Sequence, residues 1–203
     1  MKKNKISKNW INRQRRDIYV RKSKIEGYRS RAVYKLEEIN QKFKIFHNGV
    51  SVLDLGAAPG SWTQYISKNY KNIKLVSIDL KKFDEVENTF QITGDFTEDI
   101  YKQKILNFFQ GKIDIIISDM AVNTTGNKNL DSIQTSELCL DAMRFSKEVL
   151  KKNGIFVSKI FVGSTFNEII DESKKIFKKN KVFKPSASRK ESKESFIVCR
   201  MLR

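Results

Sequence analysis

The sequence predicts an α/β fold with a mostly parallel sheet. Short apolar runs typical of buried strands alternate with longer segments in which apolar residues recur every three or four positions, as on one face of a helix. A turn with Gly56 and Gly60 joins the first of these strands to a helix. The last two predicted strands are separated only by a polar loop. They should therefore pair antiparallel and bring one reversed strand into the sheet.

The predicted elements follow one another in a regular order. A helix over 30–43 precedes a strand over 50–55, and a second helix extends from Pro59 and Gly60 to about Tyr70. The later strand candidates are 74–78, 89–92, 113–118, 154–160, 181–184 and 195–201, and the later helix candidates are 99–109, 132–151 and 165–179. We predict a basic N-terminal arm over residues 1–24 and a single domain over residues 25–203.

Positive charge is the outlying property of the composition. The chain has 40 Lys and Arg against 23 Asp and Glu, a net charge of +17. Residues 1–35 hold 13 basic and two acidic residues, and residues 174–193 hold nine basic residues and one acidic residue. The rest of the chain is therefore close to neutral. A codon bias toward lysine would spread the charge evenly, whereas two basic ends are typical of a surface that binds a polyanion. We expect nucleic acid as the partner, ahead of an anionic membrane surface.

Several classes of protein are disfavoured by what the chain lacks. Cys139 and Cys199 are too few and too isolated for a disulfide framework or a zinc site, so we expect buried, reduced thiols. His47 is the only histidine, which disfavours histidine-based catalysis, and we expect no metal site. The sequence predicts no membrane span and no secretory signal. A cytoplasmic location follows, with an organelle as a minor alternative because the basic, acid-poor start resembles a transit peptide.

A glycine-containing loop follows the first predicted strand, in the segment Val52-Leu-Asp-Leu-Gly-Ala-Ala-Pro-Gly-Ser-Trp62. Gly56 and Gly60 permit a tight turn and a close approach of a ligand to the backbone. Ligands of open α/β sheets bind at the carboxyl ends of the strands. The pattern is neither the phosphate-binding GxxxxGK[ST] nor the dinucleotide GxGxxG, which disfavours hydrolysis of nucleoside triphosphates. A plain strand-to-helix turn is the alternative interpretation.

Aspartates follow the next three predicted strands. Asp79 ends the second strand, at the position where folds of this type accept the ribose hydroxyls of a nucleoside-like cofactor. Asp95 follows the third strand, where its carboxylate could accept a hydrogen bond from an adenine amino group, and Asp119 ends the fourth. Core packing alone does not explain this series. Asp54, within the loop segment itself, is expected to support the loop rather than to contact a ligand.

Five segments together resemble the FtsJ-type ribose 2′-O-methyltransferases of ribosomal RNA. They are Gly27-Tyr-Arg-Ser-Arg-Ala-Val-Tyr-Lys-Leu36, Asp54-Leu-Gly-Ala-Ala-Pro-Gly-Ser-Trp62, Ser118-Asp-Met-Ala121, Ser158-Lys-Ile-Phe161 and Lys184-Pro-Ser-Ala-Ser-Arg189 with Glu194. Ser61 and Val122 stand where the family often has glycine and proline. The resemblance implies a Rossmann-like methyltransferase fold, with a seven-stranded, mostly parallel sheet, one antiparallel strand and helices on both faces.

The resemblance also implies S-adenosylmethionine as the methyl donor. The residues that we expect to bind it are Gly56, Gly60, Trp62, Asp79, Asp95 and Asp119. It further implies a catalytic tetrad, which falls on Lys35, Asp119, Lys159 and Glu194.

The tetrad suits methyl transfer to a ribose hydroxyl, an in-line displacement in which the hydroxyl must lose its proton. Lys159 could accept that proton if it is neutral near pH 7, and Lys35 nearby would disfavour a second ammonium group in the site. Asp119 and Glu194 would orient the amino groups and offset charge as the proton moves. Lys159 also interrupts the apolar run over 155–162, where a charge is costly unless it is paired, so a function or an ion pair is expected there.

RNA binding fits the basic N-terminal region. The side chains expected to contact phosphates or to stack on bases are Arg13, Arg15, Arg16, Arg21, Lys22, Lys24, Arg29 and Arg31, with Trp10, Tyr19 and Tyr28. Tyr34 is expected instead to pack its helix onto the sheet.

We predict a monomeric enzyme that methylates the ribose 2′-hydroxyl of a uridine in 23S ribosomal RNA, within the large ribosomal subunit. The same chemistry on transfer RNA or on a messenger RNA cap is an alternative. A non-catalytic RNA-binding protein of the same fold is another, which the complete tetrad disfavours. The glycine spacing and the basic ends disfavour a nicotinamide-dependent oxidoreductase.

Overall fold

The computed structural model of the chain describes residues 16–122 and 128–203. Most of the predicted N-terminal arm, including Trp10, Arg13 and Arg15, lies outside these ranges. The division into an arm over 1–24 and a domain over 25–203 therefore stays a prediction.

The described residues form a regular succession of strands and helices. The strands are β1 (Ser51–Leu55), β2 (Lys74–Asp79), β3 (Phe90–Thr93), β4 (Ile113–Ser118), β5 (Leu150–Phe161), β6 (Phe177–Phe183) and β7 (Glu194–Leu202). The helices are α1 (Ile18–Ile25), α2 (Val33–Phe43), α3 (Ser61–Asn69), α4 (Asp99–Phe109), α5 (Lys128–Val149) and α6 (Phe166–Ile176).

The seven strands form one sheet in the order β3-β2-β1-β4-β5-β7-β6. Parallel pairing joins β3 to β2, β2 to β1, β1 to β4 and β4 to β5. The last strand, β7, is inserted between β5 and β6 and runs antiparallel to both. The predicted Rossmann-like fold, with a mostly parallel sheet and one reversed strand, is confirmed. The strand order reverses between β1 and β4, so a ligand crevice is expected at the carboxyl ends of these two strands.

The sheet is covered on both faces because the side chains of its strands alternate between two cores. On one face, Leu53 and Leu55 pack with residues of α4, α5 and α6 such as Ile105. On the other face, Val52 packs with residues of α2 and α3, among them Leu36. Tyr34 is 2% exposed and belongs to this second core, as expected. Burial of two apolar layers is the main source of stability for such a fold.

The main local error of the sequence prediction concerns the region after α6. The helix predicted over 165–179 ends at Ile176, and the strand predicted to begin at residue 181 begins at Phe177. Phe177 is fully buried and its ring stacks 5.9 Å from that of Phe156 in β5. Packing against the sheet therefore outweighs the helical preference of the lysine-rich segment.

The two cysteines are buried and unpaired, as expected. None of the helices within residues 16–122 and 128–203 is long and apolar enough to cross a bilayer. Over the same ranges, no cluster of three His, Cys, Asp or Glu side chains is placed to hold a metal ion.

Candidate active site

A cleft of about 460 Å³ opens at the carboxyl ends of β1, β2 and β4, where the strand order reverses. Four of the six residues predicted to bind a cofactor line it, namely Gly56, Asp79, Asp95 and Asp119. Apolar side chains complete the wall, including those of Phe96, Met120 and Leu138. A cavity of this size, with apolar walls and a few polar groups, is typical of a site for a nucleoside-sized ligand.

The floor of the cleft is the turn at Gly56. The residue has φ +72°, a left-handed conformation, and a Cβ added there would overlap the side chain of Met120. Its N–H donates to the Ile78 carbonyl oxygen at 2.9 Å, which ties the turn to β2. Only glycine satisfies both the backbone angle and the close packing at this point.

Backbone contacts hold the two acidic side chains on the cleft wall. The Asp79 carboxylate accepts from the Ala58 N–H at 2.9 Å and from the Lys81 N–H at 2.8 Å. It thereby connects the glycine loop to the segment after β2. Asp95 accepts from both the N–H and the hydroxyl of Thr97, at 2.9 and 2.7 Å. Both carboxylates are therefore positioned before any ligand arrives.

Asp54 supports the loop from within the core. It is 1% exposed, and its Oδ2 accepts a hydrogen bond from the hydroxyl of Thr63 in α3 at 2.7 Å. Burial raises the pKa of Asp54 to about 7, against the lowering effect of the Thr63 hydrogen bond. The structure thus connects β1 to α3 beneath the glycine loop through a carboxyl group that titrates near neutrality.

Gly60 and Trp62 do not line the cleft. Gly60 precedes α3 with φ +95°, and a Cβ there would come within 2.5 Å of Nη1 of Arg29. The Arg29 guanidinium donates to the carbonyl oxygens of Pro59, Asp84 and Glu85, so it holds the glycine loop against the segment after β2.

The Trp62 side chain is 2% exposed. Its Nε1 donates to the Ala32 carbonyl oxygen at 2.8 Å, and its ring packs 5.7 Å from that of Phe196. The Trp62 side chain therefore packs in the core, and its contact with a cofactor stays a prediction.

The predicted tetrad comes together from four separate parts of the chain. Lys159 of β5 places its Nζ 3.0 Å from Asp119 Oδ1 and 2.5 Å from the Asp119 carbonyl oxygen. Lys35 of α2 places its Nζ 2.8 Å from Glu194 Oε2 and 3.7 Å from Asp119 Oδ2. Ser188 donates to the other oxygen of Glu194 at 2.7 Å. The two lysines thus hold opposite oxygens of Asp119 in one largely buried cluster.

The charges of the cluster stabilise one another. Burial by itself lowers the pKa of Lys35, but the carboxylates of Asp119 and Glu194 outweigh it and the pKa lies above its ordinary value. Burial likewise acts to raise the pKa of Asp119, and the positive charges of Lys159 and Lys35 overcome this and hold the pKa below its ordinary value. At neutral pH Lys35 is an ammonium group and Asp119 a carboxylate.

A second pocket, of about 230 Å³, lies on the other side of the tetrad. Its lining comprises Ser30, Arg31, Ala32, Lys35, Ala187, Arg189, Ser192 and Glu194. Asp119 belongs to the lining of the first cleft, whereas Lys35 and Glu194 belong to that of the second. The tetrad therefore stands between two cavities.

The basic residues and tyrosines of the N-terminal region fall into two groups. Arg16, Arg21, Lys22 and Lys24 are exposed on or beside α1. Arg29 and Arg31 instead make contacts within the protein, and Tyr19 and Tyr28 pack their rings 5.4 and 6.4 Å from that of Tyr34.

Three polar residues at the second pocket had no predicted role. Asp17 contacts the guanidinium of Arg31, Arg189 lines the pocket, and Ser188 orients Glu194. Ser188 and Arg189 lie in a segment that carried the family resemblance, which was the only signal for them. Nothing in the sequence indicated that Asp17, an acid in a basic stretch, would reach them.

The sheet has one reversed strand, and an acidic cleft lies where the strand order reverses. These two features define a Rossmann-like protein of the methyltransferase type. The model of the FtsJ-like methyltransferase family matches residues 28–202. The chain is 64% identical to the ribosomal RNA large subunit methyltransferase E of Pelagibacter ubique (strain HTCC1062), over the full length of both proteins. The chain belongs to the FtsJ-like methyltransferase family.

Solved structures agree with this assignment. A crystal structure described as that of a ribosomal RNA methyltransferase from Plasmodium falciparum superposes with a TM-score of 0.77 and 34% identity, over 86% of this chain and 98% of that one. Human methyltransferase-like protein 13 in complex with SAH shares the fold, with a TM-score of 0.58 and 11% identity over 83% of this chain and 79% of that one.

Proposed function

We propose that the protein transfers a methyl group from S-adenosylmethionine to the ribose 2′-hydroxyl of a uridine in 23S ribosomal RNA. The observation that carries the proposal is the position of the tetrad, with a nucleoside-sized cleft on one side and a basic pocket on the other. A transferase that joins two substrates needs its reacting groups at such a junction. No observation favours transfer RNA or a messenger RNA cap as the acceptor.

The first cleft fits the methyl donor. Asp79 and Asp95 both line this cleft. Asp79, at the end of the second strand, would accept from the ribose hydroxyls, and Asp95 would accept from the adenine amino group. Gly56 offers backbone without a side chain, and Phe96 and Leu138 offer apolar surface for the base. S-adenosylmethionine supplies an electrophilic methyl group on a sulfonium, and Asp119 marks the end of the cleft where that methyl group would meet the tetrad.

Lys159 is the proposed base. Its Nζ already donates toward two oxygens of Asp119, the carbonyl and Oδ1. The base must be the amine form of Lys159, reached when its ammonium group releases one proton. An amine has two N–H bonds for these two oxygens and one lone pair for the proton of the 2′-hydroxyl. In the proposed step the 2′-oxygen would form its bond to the methyl carbon while the bond from that carbon to sulfur breaks, leaving S-adenosylhomocysteine. The hydroxyl proton would pass to Nζ, which becomes an ammonium beside the Asp119 carboxylate.

Lys35 and Glu194 position the acceptor from the second pocket. The raised pKa of Lys35 keeps it charged, so it can donate to the hydroxyl oxygen while the negative charge develops there. Glu194, oriented by Ser188, holds Lys35 in place at 2.8 Å. Alignment of the three reacting atoms is expected to supply much of the rate enhancement, as in other bimolecular transfers.

The acceptor is proposed to be large-subunit ribosomal RNA for two reasons. The relative that shares 64% identity along its whole length is named for that substrate. The chain also carries a net charge of +17, with basic residues around the second pocket, as a polyanionic acceptor requires. We further propose that the protein acts as a monomer in the cytoplasm, on the RNA within the large ribosomal subunit.

The proposal is tested by supplying labelled S-adenosylmethionine with large ribosomal subunits from cells that lack this activity. The modified nucleotide is then mapped by its resistance to alkaline cleavage, which requires a free 2′-hydroxyl. Label on one uridine ribose of the 23S RNA is the expected result. Label on a base, or on transfer RNA supplied in parallel and not on the large subunit, would contradict the proposal.

A further inference from the structure

Two guanidinium groups meet one carboxylate at the rim of the second pocket. Arg31 lies just before α2, and Arg189 lies in the polar loop between β6 and β7. Oδ2 of Asp17 contacts Nη1 of Arg31 and lies 3.8 Å from Nε of Arg189. A single carboxylate oxygen therefore stands where two cations converge, at a pocket that also contains Lys35 of the tetrad.

The cations are held in place by the fold. The Arg31 side chain is only 16% exposed, its Nη2 donates to the Ala187 carbonyl oxygen, and its guanidinium lies 5.3 Å from the centre of the Tyr19 ring. Burial lowers the pKa of Arg31, and the positive charge of Arg189 lowers it further. Both guanidinium groups lie beside the same oxygen of Asp17, so their charges repel each other and an anion between them relieves that repulsion.

The loop that carries Arg189 is held in place by hydrogen bonds to two glutamates, Glu38 and Glu194. Glu38 of α2 accepts from the N–H groups of Ser186 and Ala187, at 2.6 and 2.8 Å. Ser188 donates to Glu194 of the tetrad. The arginine therefore has a defined position relative to the reacting groups before any RNA binds, which reduces the cost of binding an anion there.

We propose that Arg31 and Arg189 bind a backbone phosphate of the acceptor RNA beside the target nucleotide, and that Asp17 occupies the place of this phosphate when RNA is absent. Phosphate oxygens accept from guanidinium groups with the same geometry as carboxylate oxygens. A phosphate at this point would set the register of the strand, so that the adjoining ribose enters the pocket next to Lys35. The inference rests on the proposed function, because it assumes an RNA acceptor.

The sign of the effect separates this proposal from a purely structural role of Asp17. If the carboxylate competes with the phosphate, removing its charge tightens RNA binding. If it only orients the two arginines, removing its charge weakens RNA binding. Asp17 also caps α1 by accepting from the N–H groups of Tyr19 and Val20. Asp17→Asn retains an oxygen for this cap, since asparagine caps helices as well as aspartate does.

The test measures the affinity of the full-length protein for unmethylated 23S ribosomal RNA as a function of salt, for three variants. Asp17→Asn is expected to bind about fivefold more tightly than the wild type, because a partly buried ion pair no longer has to be broken. Asp99→Asn makes the same change of charge on the exposed start of α4 and is expected to have little effect. Arg189→Gln is expected to weaken binding and to reduce the slope of log affinity against log salt by about 0.7, the contribution of one phosphate.

Weaker or unchanged binding by Asp17→Asn would overturn the proposal, and so would an unchanged salt slope for Arg189→Gln. The affinity of both variants for S-adenosylmethionine is measured alongside and is expected to match that of the wild type, since neither residue lines the first cleft. Failure of the proposed function is recognised separately. In that case the wild type does not methylate large-subunit RNA, whatever the variants do to binding.

Discussion

Asp54 is a fully buried carboxyl group beneath the glycine loop, and its pKa of about 7 makes a quantitative prediction about stability. In the unfolded chain an aspartate titrates near pH 3.9. Between these two values the folded protein binds a proton that the unfolded chain has released, so the free energy of unfolding falls as the pH rises through this window. Asp54→Asn keeps the shape and the acceptor for Thr63 but removes the titration.

The magnitude follows from the two pKa values. Linkage gives a loss of about 2 kcal/mol from Asp54 between pH 5.5 and pH 8.0, most of it below pH 7. The free energy of unfolding of the wild type should therefore fall by about 2 kcal/mol more than that of Asp54→Asn over this interval. Both proteins undergo the same change of pH and differ only at this side chain, so the difference between their pH dependences reports the titration of Asp54.

The assay is urea denaturation of both proteins at pH 5.5 and at pH 8.0, followed by circular dichroism. Parallel pH dependences of the two proteins would refute the reasoning, because they would mean that Asp54 is ionised throughout and that burial does not control its pKa. A steeper decline for the variant than for the wild type would contradict the sign.

Three further predictions concern the glycine loop, the tryptophan and the tetrad. Gly56→Ala should reduce the affinity for S-adenosylmethionine at least tenfold by calorimetry, because a Cβ meets Met120 at a positive φ, whereas Gly111→Ala, in open space, should not. Trp62→Phe should lower the free energy of unfolding by about 1–2 kcal/mol by urea denaturation, through loss of the hydrogen bond to the Ala32 carbonyl, with unchanged cofactor affinity. Weaker binding of S-adenosylmethionine by Trp62→Phe would instead mean that Trp62 contacts the cofactor. Lys35→Gln should lower the rate of transfer. It should also shift the acid limb of the profile of rate against pH to higher pH, because Lys35 helps to lower the pKa of Asp119. An unmoved acid limb would exclude that coupling.

The fold was predictable because its signals are local and repeated. Strand β4 and helix α4 were predicted with the bounds that the structure has, and the reversed strand followed from the missing helix between 181–184 and 195–201. The start of β6 was not predictable, because Phe177 is drawn into the sheet by Phe156, a contact between segments 21 residues apart in the chain. The spacing of apolar residues along one segment carries no information about a packing partner elsewhere in the chain.

The site was predictable only in part, for a related reason. Lys159 could be predicted because it is a charged residue within an apolar strand, and the aspartates could be predicted because they follow the ends of strands. Trp62 was expected from the family resemblance to bind the cofactor, but its side chain is buried, packs on the ring of Phe196 and does not line the cleft. The contact of Asp17 with Arg189 joins the two ends of the chain, and only the folded structure brings them together.

The central claim is that Lys159 removes the proton from the ribose hydroxyl. Its most direct test is single-turnover methyl transfer to unmethylated large ribosomal subunits by Lys159→Ala, with Lys152→Ala, an exposed lysine of the same strand, as the matched control. Lys159→Ala should transfer at least about 100-fold more slowly while its affinity for S-adenosylmethionine stays close to that of the wild type, and Lys152→Ala should transfer normally. Transfer by Lys159→Ala at a rate near that of the wild type would contradict the claim.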